Sequence, residues 1–200
     1  MATEKAKSSR ATSGKVLLSF LHVFEPKAIS DGDDEKYSVS VIISKKDKFT
    51  LTAYRAAIKA VETQVIKEKY KGIRPKKWKT PLRDGDDPEE ERDESYANSF
   101  FIGANSKRRP KLYDKNLEPI TDEEDLYSGC FGRVCINFYA YDVGGNKGIA
   151  AGLESIMKLS DGTPLGGGGG NAEEDFADSD QFIDDEDYEY DDDDDFDPLA

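Results

Sequence analysis

The chain has 200 residues, with 28 Lys and Arg against 42 Asp and Glu, a formal charge of −14. That length suits one domain with appendages; no apolar run approaches the roughly 18 residues of a membrane span, and the opening MATEKAKSSRATSGK lacks the apolar core of a secretion signal. Residues 171–200 hold 16 of the acids and no base, which leaves 28 bases against 26 acids, or +2, in residues 1–170. The acidity therefore belongs to a tail rather than to the body, an asymmetry that points to nucleic-acid binding or to an interaction tail.

Residues 1–13 read as a flexible basic arm. GKVLLSFLHVFEP (14–26) is a β-type run ended by Pro26, and both of its faces are mostly apolar, as in a strand covered on two sides. ISDGDDE (29–35) is a turn or loop. KYSVSVIIS (36–44) alternates, with Tyr37, Val39, Val41 and Ile43 on one face and Ser38 and Ser40 on the other, a half-buried strand. Leu51, Tyr54, Ile58, Val61 and Val65 then recur at helical spacing, which predicts an amphipathic helix over roughly 48–70 with Ser44 or Asp47 as cap. This stripe is a packing face and does not suggest a cofactor.

Residues 71–95 are irregular, and their charge changes from basic to acidic midway; a loop of that length is functional or disordered. SYANSFFIGANSK (95–107) is a strand, residues 108–129 are turn-rich, CFGRVCINFYAYD (130–142) is the strongest strand, and KGIAAGLESIMKLS (147–160) is a final one. GGNKG (144–148) has no Ser or Thr after its lysine, so it fails the phosphate-loop pattern and reads as a hairpin turn. Residues 166–170 are a glycine linker and 171–200 a disordered acidic tail. The fold class is mainly β: a body over 14–165, a small barrel of five or six strands with one α-helix after the second.

Two clusters carry candidate chemistry. KEKYKGIRPKKWK (67–79) sets Lys71, Arg74, Lys76, Lys77 and Lys79 around Trp78, the only tryptophan. KRRPKLYDK (107–115) sets Lys107, Arg108, Arg109 and Lys111 around Tyr113. Bases attract phosphate irrespective of sequence, and aromatic faces stack on exposed nucleobases for roughly 1–3 kcal/mol each. A duplex hides its base faces, so the mixture favours single strands. In 130–142, period two puts Val134, Ile136, Phe138 and Ala140 towards a core. It puts Arg133, Tyr139 and Tyr141 on the other side, where they make a stacking platform or a second layer under a loop.

Other features favour structural readings. His22 has no evident catalytic partner and reads as a packed, hydrogen-bonded histidine. The acid clusters 31–35 and 84–94 could hold a hard cation through oxygen, but they fit no EF-hand spacing and read as solvated loops. Cys130 and Cys135 lie five apart on one extended segment, point to opposite faces and read as reduced thiols. One histidine and two cysteines make no standard zinc site. No nucleophile stands out, so neither cofactor, metal nor enzymatic activity is expected.

Six stretches carry a resemblance: GKVLLSFLHVFEP, KYSVSVIISKKD, KTPLRDGDD, FFIGANSKRRP, DLYSGCFGRVCINFYAYD and GNKGIAAGLESIMKLSDGTPLGG. In that order they span residues 14–168, and the chain resembles the OB-fold single-stranded DNA-binding proteins of tailed bacteriophages. The resemblance implies an OB-type barrel that coats single-stranded DNA in phage replication and recombination, in the cytoplasm of an infected bacterial host. It also implies contact regions at SKRRP and YSGCFGRVCINFYAYD. The usual OB barrel has its helix between the third and fourth strands, whereas the helix here follows the second. Acidic tails of such proteins commonly end on phenylalanine, whereas Phe196 here is followed by four residues.

A run such as Asp191, Asp192, Asp193, Asp194 and Asp195 has the charge spacing of a crude single strand. The expectation is a tail that occupies the protein's own basic groove, competes with weak ligands such as duplex DNA, yields to single strands and then engages replication or recombination proteins through Phe196. Thirty coil residues span roughly 30 Å, enough to reach the face of a small barrel. A solubility tail is the plain alternative. Rival readings of the whole chain are an acidic DNA mimic that inhibits a nucleic-acid enzyme and a metal-dependent nuclease. Duplex or RNA binding and a homodimer stay open.

Overall fold

The long alternating segments of the sequence close into a ring. The computed structural model describes residues 8–28, 32 and 34–165. In chain order its elements are β1 (Arg10–Thr12), β2 (Val16–Lys27), β3 (Lys36–Ser44), α1 (Lys48–Lys69), β4 (Trp78–Lys79), β5 (Arg83–Asp84), a 3₁₀ turn (Glu94–Tyr96), β6 (Ser99–Ser106), β7 (Lys111–Tyr113), β8 (Phe131–Val143) and β9 (Asn146–Ser160). Strands pair in the order β2, β3, β6, β9, β8, and β8 returns to β2 through Val16↔Gly132 and Leu17↔Phe131. This is a five-stranded, OB-type barrel.

The helix sits between the second and third barrel strands, as the sequence indicates, so its departure from the usual OB position is real. The additional strands β1, β4, β5 and β7 attach to the barrel without entering the ring.

Period-two burial builds the interior. Leu18, Val41, Ile43, Ile102, Val134, Ile136 and Ile156 are fully enclosed, each stabilising the fold by about 1.5–3 kcal/mol relative to exposure. Helix α1 covers this core with the predicted stripe. Leu51, Tyr54, Ile58 and Val61 are buried, together with Thr50 and Ala57. Asp47 caps the helix, accepting from the Thr50 backbone N–H at 2.9 Å. Tyr54 lies edge-on to Phe138 with centroids 5.5 Å apart, and its hydroxyl donates to the Val134 carbonyl at 2.8 Å.

Three expectations change. Pro26 does not end its strand, which runs on to Lys27 beside Lys36 past an irregularity in register. Part of the arm is not free: Arg10, Ala11 and Thr12 pair with Asn137, Ile136 and Cys135, because the adjacent β8 edge offers unpaired backbone groups. The irregular 71–95 segment contributes two short strands, and Tyr96 just after it packs with Ile42, Phe101 and Leu17 as a second small core outside the ring. That cover explains why both faces of the first long run are apolar. Cys130 and Cys135 are buried free thiols. The glycine linker, Asp191–Asp195 and Phe196 lie outside the described residues.

Candidate nucleic-acid interface

Cross-strand partners in a sheet point the same way, so pairing register traces the outer surface. His22 pairs with Ser38, Ser38 with Asn105, Asn105 with Gly152, Gly152 with Asn137 and Asn137 with Arg10. This unbroken row crosses six strands. Ser38 alternates with the buried Val39 and Asn105 with the buried Ala104, which places the row on the outside of the barrel.

Tyr139 and Tyr141 continue the outward line of β8 beyond Asn137, opposite Ala150 and Gly148. Tyr139 is 45% exposed. One side of its ring lies against Gly152: a Cβ there would come 3.4 Å from the ring Cε1 atom. Tyr139 keeps surface accessible to a stacking partner. Gly148 closes this end of the surface by close backbone approach, since a Cβ on it would fall 2.3 Å from the Lys79 carbonyl oxygen. The β8–β9 turn is the expected hairpin, with Gly144 and Gly145 at φ 58° and 80°.

The second basic cluster borders the same row. Arg108, Arg109, Lys111 and Tyr113 line a groove of about 490 Å³ with Arg10, Ser106, Ser155 and Glu154. Arg10 joins it because β1 docks on β8, and the arginine pairs with Glu154 at 2.5 Å. Arg109 lies over the Phe24 ring, 5.6 Å from its centroid. Lys107 turns away to Asp34 at 2.6 Å. Among the described residues, Arg108 and Lys111 enter no ion pair.

The first cluster is partly tied up by its neighbours. Arg74 pairs with Glu62 of α1 at 2.6 Å. Trp78 is half-buried and meets Tyr70 edge-on at 5.9 Å. Asp142 receives Lys69 at 2.9 Å and the Tyr70 hydroxyl at 2.9 Å, with Lys147 at 3.7 Å. Lys69 and Tyr70 hold that carboxyl below the usual carboxylate range. Lys71, Lys76, Lys77 and Lys79 are exposed around this hub. Arg133 is turned inward to the chain's start, its Nε donating to the Ser13 carbonyl at 2.9 Å. Of the residues read from the sequence, the structure brings Arg108, Arg109, Lys111 and Tyr113 into one groove and sets Tyr139 outward on β8 opposite Ala150, while Arg74, Lys107 and Arg133 have structural partners.

Sequence reasoning missed the other end of the row. Between Ser19↔Ser40 and His22↔Ser38, β2 carries one residue more than β3, a β-bulge. Phe20 in this bulge has φ 46° and is 64% exposed. It and His22 line a cleft of about 470 Å³ floored by Ser38, Ser40, Gly103 and Asn105. His22 is thus half-buried in an open cleft, not packed as expected, and makes no side-chain hydrogen bond among the described residues. Burial, and secondarily Lys27, lower its pKa.

The family model for the Enterobacter phage Enc34 ssDNA-binding protein matches residues 9–192. The chain belongs to that family. A relative in Acyrthosiphon pisum secondary endosymbiont phage 1, protein p50, is 32% identical over 169 residues, covering 82% of this chain and 90% of p50. The Enc34 phage protein solved with ssDNA has a TM-score of 0.64 at 22% identity, covering 82% of this chain and 97% of that one. The single-stranded DNA-binding protein of bacteriophage T7 has a TM-score of 0.56 at 14% identity, covering 82% and 95%. At those identities the Enc34 and T7 likenesses establish a shared fold. Among the described residues no helix is long and apolar enough to cross a membrane.

Proposed function

We propose that this member of the Enc34 phage ssDNA-binding family binds single-stranded DNA without strong sequence preference, as a binder and not an enzyme. The outer row of the barrel supports this reading more than any other observation: Asn105, Gly152 and Asn137 adjoin across three strands, the open Tyr139 ring flanks them, and Arg108 and Lys111 border the same ground. Cations there attract phosphates and the ring stacks on any base, so affinity needs no readout of sequence. The body acts over residues 14–165, with Lys71, Lys76, Lys77 and Lys79 as a flanking cationic approach and Tyr113 and Tyr141 as further aromatic surface.

The tail beyond the glycine linker competes with DNA for this face, discriminates against duplex, and recruits replication or recombination proteins through Phe196. Leu165, the last described residue of the body, lines a hollow with Phe20 and His22. A gel-shift comparison tests the reading, using the full-length protein and a chain cut after Gly170 on single- and double-stranded oligonucleotides with and without magnesium. Single strands are preferred by both proteins, and removal of the tail strengthens duplex binding most. Unchanged affinity for both ligands on truncation overturns self-competition. A tail-less body that binds no oligonucleotide supports the DNA-mimic reading instead, and loss of strand with magnesium supports a nuclease.

A further inference from the structure

We infer that the cleft beside the Phe20 bulge is a nucleobase-binding subsite, in which one unpaired base stacks on the Phe20 ring with its polar edge towards His22, Ser38 and Asn105. This rests on the single-strand reading above and assigns it a place separate from Tyr139 and the arginine groove.

Four features of the cleft support it. Phe20 occupies the left-handed region, which a bulky residue adopts only at a cost that its surroundings must offset. Here the bulge is held from outside the strand, as the Leu21 backbone N–H donates to the Ser128 hydroxyl at 3.0 Å. The consequence is a phenyl ring 64% exposed at the cleft wall, where burial in the core would be the ordinary outcome.

The floor is made of short polar side chains and an absent one. Gly103 pairs with Ser40 and faces outward, and a Cβ on it would meet nothing within 4 Å. Glycine weakens a strand interior and marks places where another group comes close. The open space above it is therefore room for a planar ring beside Phe20.

The polar edge suits a base and not a phosphate. A neutral histidine offers one donor and one acceptor, an asparagine offers both, and a serine hydroxyl rotates to either role. Such a set accommodates the mixed edges of all four bases without selecting one. Lys27, at the rim, is the cation available to the connecting phosphate.

Position completes the case. His22, Ser38 and Asn105 are the first three members of the row that continues through Gly152 and Asn137 to Arg10. A strand laid along that row passes from the cleft to the arginine groove without leaving the outer surface.

The test uses full-length variants and two probes, a labelled oligothymidylate and an abasic deoxyribose-phosphate strand of equal length and charge. Phe20→Gly removes the ring while suiting the positive φ, so the melting temperature holds or rises. Affinity for oligothymidylate falls by roughly 5- to 150-fold, the range of one lost base stack, and affinity for the abasic strand does not change. Gly103→Leu, whose Cβ meets nothing within 4 Å and whose side chain projects into the cleft, weakens oligothymidylate binding likewise. An Arg108→Glu, Arg109→Glu, Lys111→Glu variant weakens both probes. If Phe20→Gly and Gly103→Leu bind oligothymidylate as the wild type does while the triple variant does not, the subsite is wrong and the single-strand reading stands. If Phe20→Gly weakens both probes equally, the ring does not stack on a base and the inference fails. If the triple variant also binds both probes normally, the single-strand reading on this face fails and the subsite fails with it.

Discussion

The Tyr139 ring lies across Gly152, with the position of a Gly152 Cβ only 3.4 Å from its Cε1 atom. Glycine at 152 lets the tyrosine lie close to the sheet, and Tyr139 stays 45% exposed overall. A ring held this way has little freedom left to lose when a base stacks on it. Tyr139→Ala lowers affinity for oligothymidylate by roughly 5- to 150-fold, measured by fluorescence anisotropy, with little change in melting temperature. Gly152→Val, which pushes the ring away, lowers it in the same direction. Unchanged affinity in both variants ends the stacking role.

If about four phosphates are neutralised per protein, the slope of log affinity against log salt is about −3 on a single strand. Arg108→Ala and Lys111→Ala each reduce that slope by about 0.7, because among the described residues neither cation is committed to an ion pair. Lys107→Ala changes it less, since Lys107 is held by Asp34 at 2.6 Å. A slope near zero would remove the basic groove from the account.

Asp142 neutralises one end of the basic surface. Its carboxyl, held low by Lys69 and then Tyr70, stabilises the fold above the unfolded Asp value of about 3.9, and that contribution is lost as pH falls through the lower folded value. Asp142→Asn therefore melts below the wild type at pH 5–7, and the gap closes in acid below about pH 4. At neutral pH the same variant releases Lys69 and Lys147 and binds single strands more tightly, with a steeper salt slope. A variant that binds less tightly would mean that Asp142 orients the surface instead of restraining it.

Tyr54 reports on the scaffold alone. Tyr54→Phe leaves the ring on Phe138 but removes the hydroxyl that donates to the Val134 carbonyl. The expected cost is about 1–2 kcal/mol, a fall of about 2–8 °C in melting temperature for a domain of this size, with DNA affinity unchanged below the transition. A loss of affinity in the folded variant would connect the helix cap to the binding face.

Local periodicity made the scaffold legible. The alternation of 36–44 and the three-and-four spacing from Leu51 to Val61 are set by short-range geometry, and the elements are Lys36–Ser44 and Lys48–Lys69. The Phe20 bulge was not legible, because it depends on Ser128, more than a hundred residues away, and strand periodicity gives no sign of one extra residue. The two basic clusters looked equivalent along the chain. In space Glu62 on α1 and Asp142 on β8 take up Arg74 and Lys69 of the first, while Asp34 takes up Lys107 of the second, and charge counts along a sequence do not include such partners from other elements. Arg133 falls on the outward face by period, yet the docked N-terminal segment gives it the Ser13 carbonyl.

The most direct test is a titration of the full-length protein with a labelled oligothymidylate and with a duplex of the same length, each repeated with the Arg108→Glu, Arg109→Glu, Lys111→Glu variant and with Tyr139→Ala. The account predicts that the single strand binds more tightly than the duplex, that charge reversal reduces binding of both, and that loss of the ring erodes the preference for the single strand. Equal affinity for the two ligands, or single-strand affinity untouched by either set of substitutions, would contradict it.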